Sequence, residues 1–298
     1  NNRTYEISPS VKTANGGLLF GSFVTGFNAP SLYQLYDATR YVTWDNQYTT
    51  GLTRGNKKLN PEYSKTYEVG FKQSFNNINV SASYYNTQID NVIEYVYLWD
   101  KNIGIDTLGQ NFGRDDYRGD TYVNAGTMYI QGVELGFQSK LSEKFSVAAN
   151  INLVSGKLSY KASNIDTAQT RGNNVQIYNN GTFVKAKEAT ILGLTRRPNT
   201  ANLSLNYKPV KKLELGAIVR YVGSRGDVYY EPKLGPFGAL GTVSVEQYSL
   251  LDLSLKADLF KGCSALVKVE NVFNKVYYEI TGFTTRGRGV YVTLMYNF

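Results

Sequence analysis

From Val290 to the last residue the chain alternates strictly. Val290, Val292, Leu294, Tyr296 and Phe298 fall on one face of an extended segment, and Tyr291, Thr293, Met295 and Asn297 on the other. The same period-two pattern runs through the middle of the chain. Val133, Leu135 and Phe137 oppose Glu134, Gly136 and Gln138, and Leu203, Leu205 and Tyr207 oppose Asn202, Ser204 and Asn206. Leu251, Leu253, Leu255 and Leu259 oppose Asp252, Ser254, Lys256 and Asp258. Eleven strands are predicted, over 4–13, 18–27, 65–75, 78–97, 121–141, 145–161, 191–209, 213–229, 246–260, 263–279 and 286–298. Periodicity alone also suits a soluble sandwich with its apolar face inward.

The connections separate these alternatives. Short turns (Asn15-Gly16-Gly17, Asn76-Asn77, Glu143-Lys144, Lys211-Lys212, Lys261-Gly262) alternate with longer loops near 28–64, 98–120, 162–190, 230–245 and 280–285. Short turns at one end and long loops at the other are the layout of a transmembrane β-barrel, with apolar side chains toward lipid and polar ones toward a wet lumen. Long loops are usually functional. The fold class expected is therefore all-β: a transmembrane antiparallel barrel.

Composition narrows the function classes. No apolar run approaches the ~18 residues of a membrane-spanning helix, so any crossing is by strands. With 25 Tyr and 14 Phe, the chain is rich in strand-forming aromatics. Histidine is absent, which removes His-based triads, bases and metal ligands, and with them phospholipase and omptin-type enzymes of the outer membrane. No catalytic constellation emerges, and no enzyme activity is expected. The single cysteine, Cys263, excludes an internal disulfide. The +8 charge is spread along the chain, and the lone Arg286-Gly-Arg-Gly run does not make a nucleic-acid site. The opening residues read as strand, with no signal peptide.

Several segments resemble the successive landmarks of TonB-dependent outer-membrane receptors. They are Gly26-Phe27-Asn28-Ala29-Pro30-Ser31-Leu32-Tyr33-Gln34-Leu35-Tyr36, Leu59-Asn60-Pro61-Glu62-Tyr63 through Gly70, Gly132-Val133-Glu134, Asn271-Val272-Phe273-Asn274-Lys275-Val276-Tyr277, and the terminal strand. The resemblance implies a 22-stranded barrel with an N-terminal plug. Residues 1–298 would be its C-terminal half, with the plug, the TonB-contacting segment and the first eleven strands elsewhere. Most landmarks also read as structural, and Asn271–Lys275 is expected to bend or bulge a strand.

Within the family, the last section (YVGSRGDVYYEP, then TTRGRG) looks most like the vitamin B12 receptors. Cobalamin or another corrinoid is the ligand this implies, with ferric-siderophore receptors as the alternative. Haem receptors generally rely on histidine, which this chain lacks. An autotransporter translocator is the rival of another class; it would place a helix in the pore ahead of the first strand and have much shorter loops.

Ligand contacts are expected at the exterior end, from Tyr33, Tyr36, Trp44, Tyr97, Trp99, Tyr229, Tyr230 and Phe283, with Arg286 and Arg288 facing a phosphate or carboxylate. Arg225 is expected near the same mouth. Asp115, Asp116 and Asp120 are oxygen donors for a calcium ion that would order a loop; no other cofactor is expected. Expected partners are outer-membrane lipid, the TonB complex through the plug, an extracellular small molecule, a surface lipoprotein over the mouth and the barrel-assembly machinery, with no nucleic acid.

Overall fold

The computed structural model describes residues 3–36, 41–42, 48–49, 55–99, 118–161, 174–179, 182–184, 189–231 and 239–297. Among these, eleven strands form one antiparallel path in chain order. They are β1 (Glu6–Ile7), β2 (Leu18–Asn28), β3 (Glu62–Phe75), β4 (Ile78–Trp99), β5 (Arg118–Lys140), β6 (Phe145–Lys161), β7 (Thr200–Val210), β8 (Leu213–Val222), β9 (Tyr248–Phe260), β10 (Cys263–Glu270) and β11 (Gly289–Tyr296). Each pairs with its predecessor, so sequence order and spatial order coincide, as in an up-and-down barrel wall. The path does not close on itself: within the described residues β1 and β11 each have a ladder on one side only.

Cross-strand register converts the alternation into two continuous faces. Leu19, Phe71, Ala82, Leu135, Ile151, Ala201 and Tyr221 are successive partners across seven strands. Val147, Leu205, Ala217, Leu253, Val269 and Val290 form a second such row from β6 to β11. One residue along, the opposite face carries Lys72, Ser81, Gly136, Asn150, Asn202 and Arg220. The larger side chains of the first row, Leu19, Phe71, Leu135, Ile151 and Tyr221, are all exposed. A soluble protein would bury them; here they form a membrane-facing surface. On the polar face Arg220 donates to Asp252 at 2.9 Å, a pairing that a dry sandwich core would penalise and a wet lumen tolerates.

Four expected strands differ in extent. The segment at 4–13 is split, with Glu6–Ile7 and Ser10–Lys12 both pairing with β2 on either side of Pro9, which has no N–H for a ladder. The segment at 191–209 breaks before Thr200: Ala189–Gly193 pairs with β6, and the chain leaves the sheet through Pro198. The segment at 213–229 leaves the wall after Val222. The Gly223 N–H donates to the Asn199 carbonyl, and Arg225–Glu231 pairs instead with Ala239–Val245 as a separate ribbon. The segment at 263–279 stops at Glu270, so Asn271–Lys275 is a turn and not a bent strand. Asn271 and Asn274 both take positive φ (49° and 52°), which ends the ladder. The Asn271 side chain then bonds both backbone groups of Lys275.

The two faces carry a mutational expectation. In the full-length polypeptide, Ile151→Arg sets a charge on the lipid face and is expected to cost about 2–4 kcal/mol at mid-bilayer depth. Asn150→Lys, one residue away on the wet face, is expected to cost far less. Urea-dependent folding into lipid vesicles measures both; equal effects would mean the faces are assigned wrongly.

Candidate functional site at the exterior end

The end carrying the long connections has two ordered supports. The first follows β2. Pro30 ends the strand run, and Ser31 opens the short helix α1 (Leu32–Tyr36). Ser31 and Gln34 cap reciprocally: the Gln34 N–H donates to Ser31 Oγ at 3.2 Å and the Ser31 N–H to Gln34 Oε1 at 2.8 Å. Residues 55–61 then pack beside it. Asn56 is buried; its N–H donates to the Gln34 carbonyl and its side-chain amide to the Tyr122 carbonyl, each at 2.8 Å. Asn60 and Asn124 exchange two hydrogen bonds at 2.9 Å, and Asn124 also donates to the Asn91 carbonyl at 2.8 Å. Asn91 sits at positive φ (59°) where the β4–β5 register shifts, so its carbonyl lacks a regular ladder partner.

Glu62 joins three elements. Its Oε2 accepts from the Asn28 amide at 3.0 Å and its Oε1 from the Ile93 N–H at 2.8 Å. On the face of Glu62, Val92, Val96, Val123 and Tyr160 are buried. Glu94 lies among them, beyond the ~9–11 residues of β4 that suffice to cross a bilayer. Burial, and secondarily the Glu62 charge, raise its carboxyl from the usual 4.5 to about 7.

The second support is formed by the ribbon after β8 and the connection from β10 to β11. Asp227 is 1% exposed. It accepts from Arg196 Nε at 2.5 Å, from the Thr281 N–H at 2.7 Å and from the Val228 N–H at 2.8 Å. Burial opposes its ionisation, but those donors hold the carboxyl below its usual range. Arg225, expected near the exterior mouth, is 8% exposed. It donates to the Tyr278 and Glu279 carbonyls at 2.9 and 2.6 Å, with its guanidinium 5.9 Å from the Tyr248 ring. Both bonds come from Nη2, so the backbone of 278–279 supplies acceptors to one side of the buried guanidinium.

The expected ligand contacts distribute over these supports. Tyr33 and Tyr36 are exposed on α1; the Tyr33 ring meets Tyr122 edge-on at 6.2 Å, and Lys57 lies 5.3 Å from the Tyr36 ring. Phe283 is exposed on the turn after Thr281. Arg286 is exposed, its nearest described partner the Tyr291 hydroxyl at 3.4 Å, and Arg288 is exposed with its N–H donated to Asn274. The Tyr97 and Trp99 backbones pair with Gln176 and Asn174, and those of Tyr229 and Tyr230 with Gly241 and Leu240. The Asp120 backbone pairs with Tyr97. Trp44, Asp115 and Asp116 lie outside the described residues. Among the described residues no group of three or more potential metal ligands occurs.

Sequence reading missed Asn56, Asn124, Glu94, Arg196 and Asp227. The partners that fix their place in the fold are distant in sequence, Tyr122 for Asn56, Asn60 for Asn124 and Arg196 for Asp227, so no local pattern marks them. Four landmark residues have structural roles. Asn28, Asn60 and Glu62 make the bonds above, and a Cβ at Gly132 would run into the Tyr85 ring.

Each support carries a pH-linked expectation. Because the folded-state pKa of Glu94 is raised, its contribution to stability is full below about 4.5 and is lost as pH rises through about 7. Glu94→Gln should therefore raise thermal stability at pH 8, by up to about 3 kcal/mol, and change it little at pH 4.5. Asp227 has the opposite sign: its contribution is present above the usual aspartate range and lost as pH falls through the lowered value. At neutral pH, Asp227→Asn should speed hydrogen exchange at the Thr281 amide by at least ~10-fold; an unchanged rate would show that the carboxylate does not hold the connection.

Comparison with known proteins agrees with this architecture. Residues 2–272 match the family described as TonB dependent receptor-like, beta-barrel. The probable TonB-dependent siderophore receptor PiuA of Acinetobacter baumannii is 21% identical over 304 residues, an alignment covering 99% of this chain and 33% of the relative. The solved siderophore receptor PirA from the same species superposes with a TM-score of 0.65 at 16% identity, covering 100% of this chain and 41% of that one. The FrpB iron transporter from Neisseria meningitidis gives 0.64 at 16% identity, with 99% and 39% covered. The chain thus spans about a third of the length of the curated relative. Eleven consecutive antiparallel strands, an exposed apolar face opposite a polar one, and a family match over nearly the whole length place this chain in the TonB-dependent receptor β-barrel family, in the outer membrane.

Proposed function

We propose that the chain is the C-terminal half of the barrel of an energised importer, and that its cargo is a ferric siderophore. The plug and the remaining strands belong to the rest of the polypeptide, and the TonB complex drives release through that plug. The observation that carries the cargo assignment is the agreement among relatives: PiuA and PirA are both described as siderophore receptors. The exterior end suits such a cargo. Exposed Tyr33, Tyr36 and Phe283 offer flat apolar surface, and exposed Arg286 and Arg288 offer guanidinium groups to the anionic oxygens of a metal chelate. The corrinoid reading rests on the resemblance of the Tyr221–Pro232 and Thr284–Gly289 segments, and the relatives weigh against it.

A titration separates the two. The full-length receptor is titrated with a panel of ferric siderophores and with cyanocobalamin, using the fluorescence of its tryptophans. Submicromolar quenching by a ferric chelate and none by cyanocobalamin is the expected result; the reverse would restore the corrinoid. Removing both guanidinium groups (Arg286→Ala with Arg288→Ala) should weaken chelate binding by roughly tenfold or more.

A further inference from the structure

The end opposite the candidate site carries an unassigned feature. Two of its tight turns are uncharged, Thr13-Ala-Asn-Gly-Gly17 and Asn76-Asn77. The other three, which follow one another along the wall between β5 and β10, are lysine-rich. Leu141–Lys144 joins β5 to β6, Lys211-Lys212 joins β7 to β8, and Lys261-Gly262 joins β9 to β10. Lys140 is paired with Glu143 at 3.0 Å and Lys208 with Glu214 at 3.1 Å. Lys144, Lys211, Lys212 and Lys261 are exposed, and among the described residues their ammonium groups have no hydrogen-bond or ion-pair partner.

Two further observations give this charge a direction. The turns are fixed: the Lys144 carbonyl accepts from the Lys208 N–H at 2.7 Å, the Lys212 carbonyl from the Asp258 N–H at 2.9 Å, and the Gly262 carbonyl from the Asn297 N–H at 2.8 Å. The ladder therefore runs down to the rim, and turn centres two strands apart lie roughly 10 Å from one another. Beside the lysines, Leu141, Val210, Leu259 and Phe260 are exposed. Ammonium groups next to exposed apolar side chains at the edge of a lipid-facing wall are arranged for an interface, with the apolar groups in the acyl region and the charges at headgroup depth.

We infer that Lys144, Lys211, Lys212 and Lys261 form a binding strip for the phosphodiester headgroups of anionic phospholipid in the periplasmic leaflet. Short turns lie on the periplasmic side of such barrels, and the turns of β1–β4 carry no lysine of their own, exposed Lys12 and Lys72 flanking the first of them on the strands. The occupant is a lipid of phosphatidylglycerol type: one negative phosphate per headgroup meets one lysine, and the acyl chains continue onto the apolar rows above.

The test uses the full-length receptor reconstituted in phosphatidylcholine vesicles containing a trace of spin-labelled lipid. The motionally restricted fraction is compared for labelled phosphatidylglycerol and labelled phosphatidylcholine. The wild-type protein should retain phosphatidylglycerol at least about fivefold better at low salt, and the preference should fall as salt rises. Replacing all four lysines by Gln should bring the ratio close to one, whereas Lys57→Gln with Lys58→Gln, at the exterior end, should leave it unchanged. A heat-modifiability gel confirms that each variant is folded. Equal ratios for wild type and the fourfold variant, or no preference in the wild type, would overturn the inference. Siderophore binding is not read in this assay, so its outcome is independent of the cargo assignment.

Discussion

Hydrocarbon offers a backbone N–H or C=O no partner, so a wall that crosses it must pair every such group within the sheet. The register follows that constraint. From Ile78 to Ile89 β4 pairs with β5 without a break, and from Gly126 to Lys140 β5 pairs with β6 without a break. Irregularities collect at the ends. The shift at Ile89/Val92 lies toward the exterior, and those at Tyr207/Val210 and Asp258/Phe260 adjoin short turns. Where water or a side chain can substitute for a ladder partner, the chain bends; where neither can, it stays regular.

Beyond the regular zone the substitutes are specific side chains. At the first support, asparagine amides do the work of a ladder: the Asn56 amide bonds the Tyr122 carbonyl, and the Asn124 amide bonds both backbone groups of Asn60. An amide carries both donor and acceptor and stays neutral, so it fits where Val123 and Leu59 exclude solvent. At the second support, the carboxylate of Asp227 gathers two backbone N–H groups and one guanidinium. Three donors compensate its lost hydration, which accounts for the lowered pKa despite almost complete burial. Glu94 lacks that compensation and faces a second carboxylate, so burial raises its pKa instead.

The wall strands were legible because alternation and tight turns are local. Leu251 to Leu259 opposite Asp252 to Asp258 can sit in few other ways, and β9 appears where that pattern places it. The errors came where alternation outlasts pairing. Residues 225–231 continue the pattern of β8 but belong to a ribbon, and residues 271–277 read as strand while Asn271 and Asn274 turn the chain through positive φ. Both breaks depend on distant partners, the Asn199 carbonyl for Gly223 and Asp252 for the Asn271 N–H. The candidate site was less legible for the same reason. Exposed aromatics can be picked out by composition, but Arg225 resembles Arg286 in sequence, and only the fold shows one buried against carbonyls and the other exposed.

The difference between those two arginines bears on how the exterior end would hold a ligand. Arg225 and Asp227 reach from the ribbon to residues 278–281, and Asn274 fixes the backbone at Arg288. The stretch presenting Phe283, Arg286 and Arg288 is therefore tied at both ends before any ligand arrives. Ordering a free loop on binding costs affinity; a tied one has already met most of that cost in folding. Tyr33 and Tyr36 gain the same advantage from a capped helix braced by Asn56. An exterior end built this way would meet the proposed ligand with groups already in place.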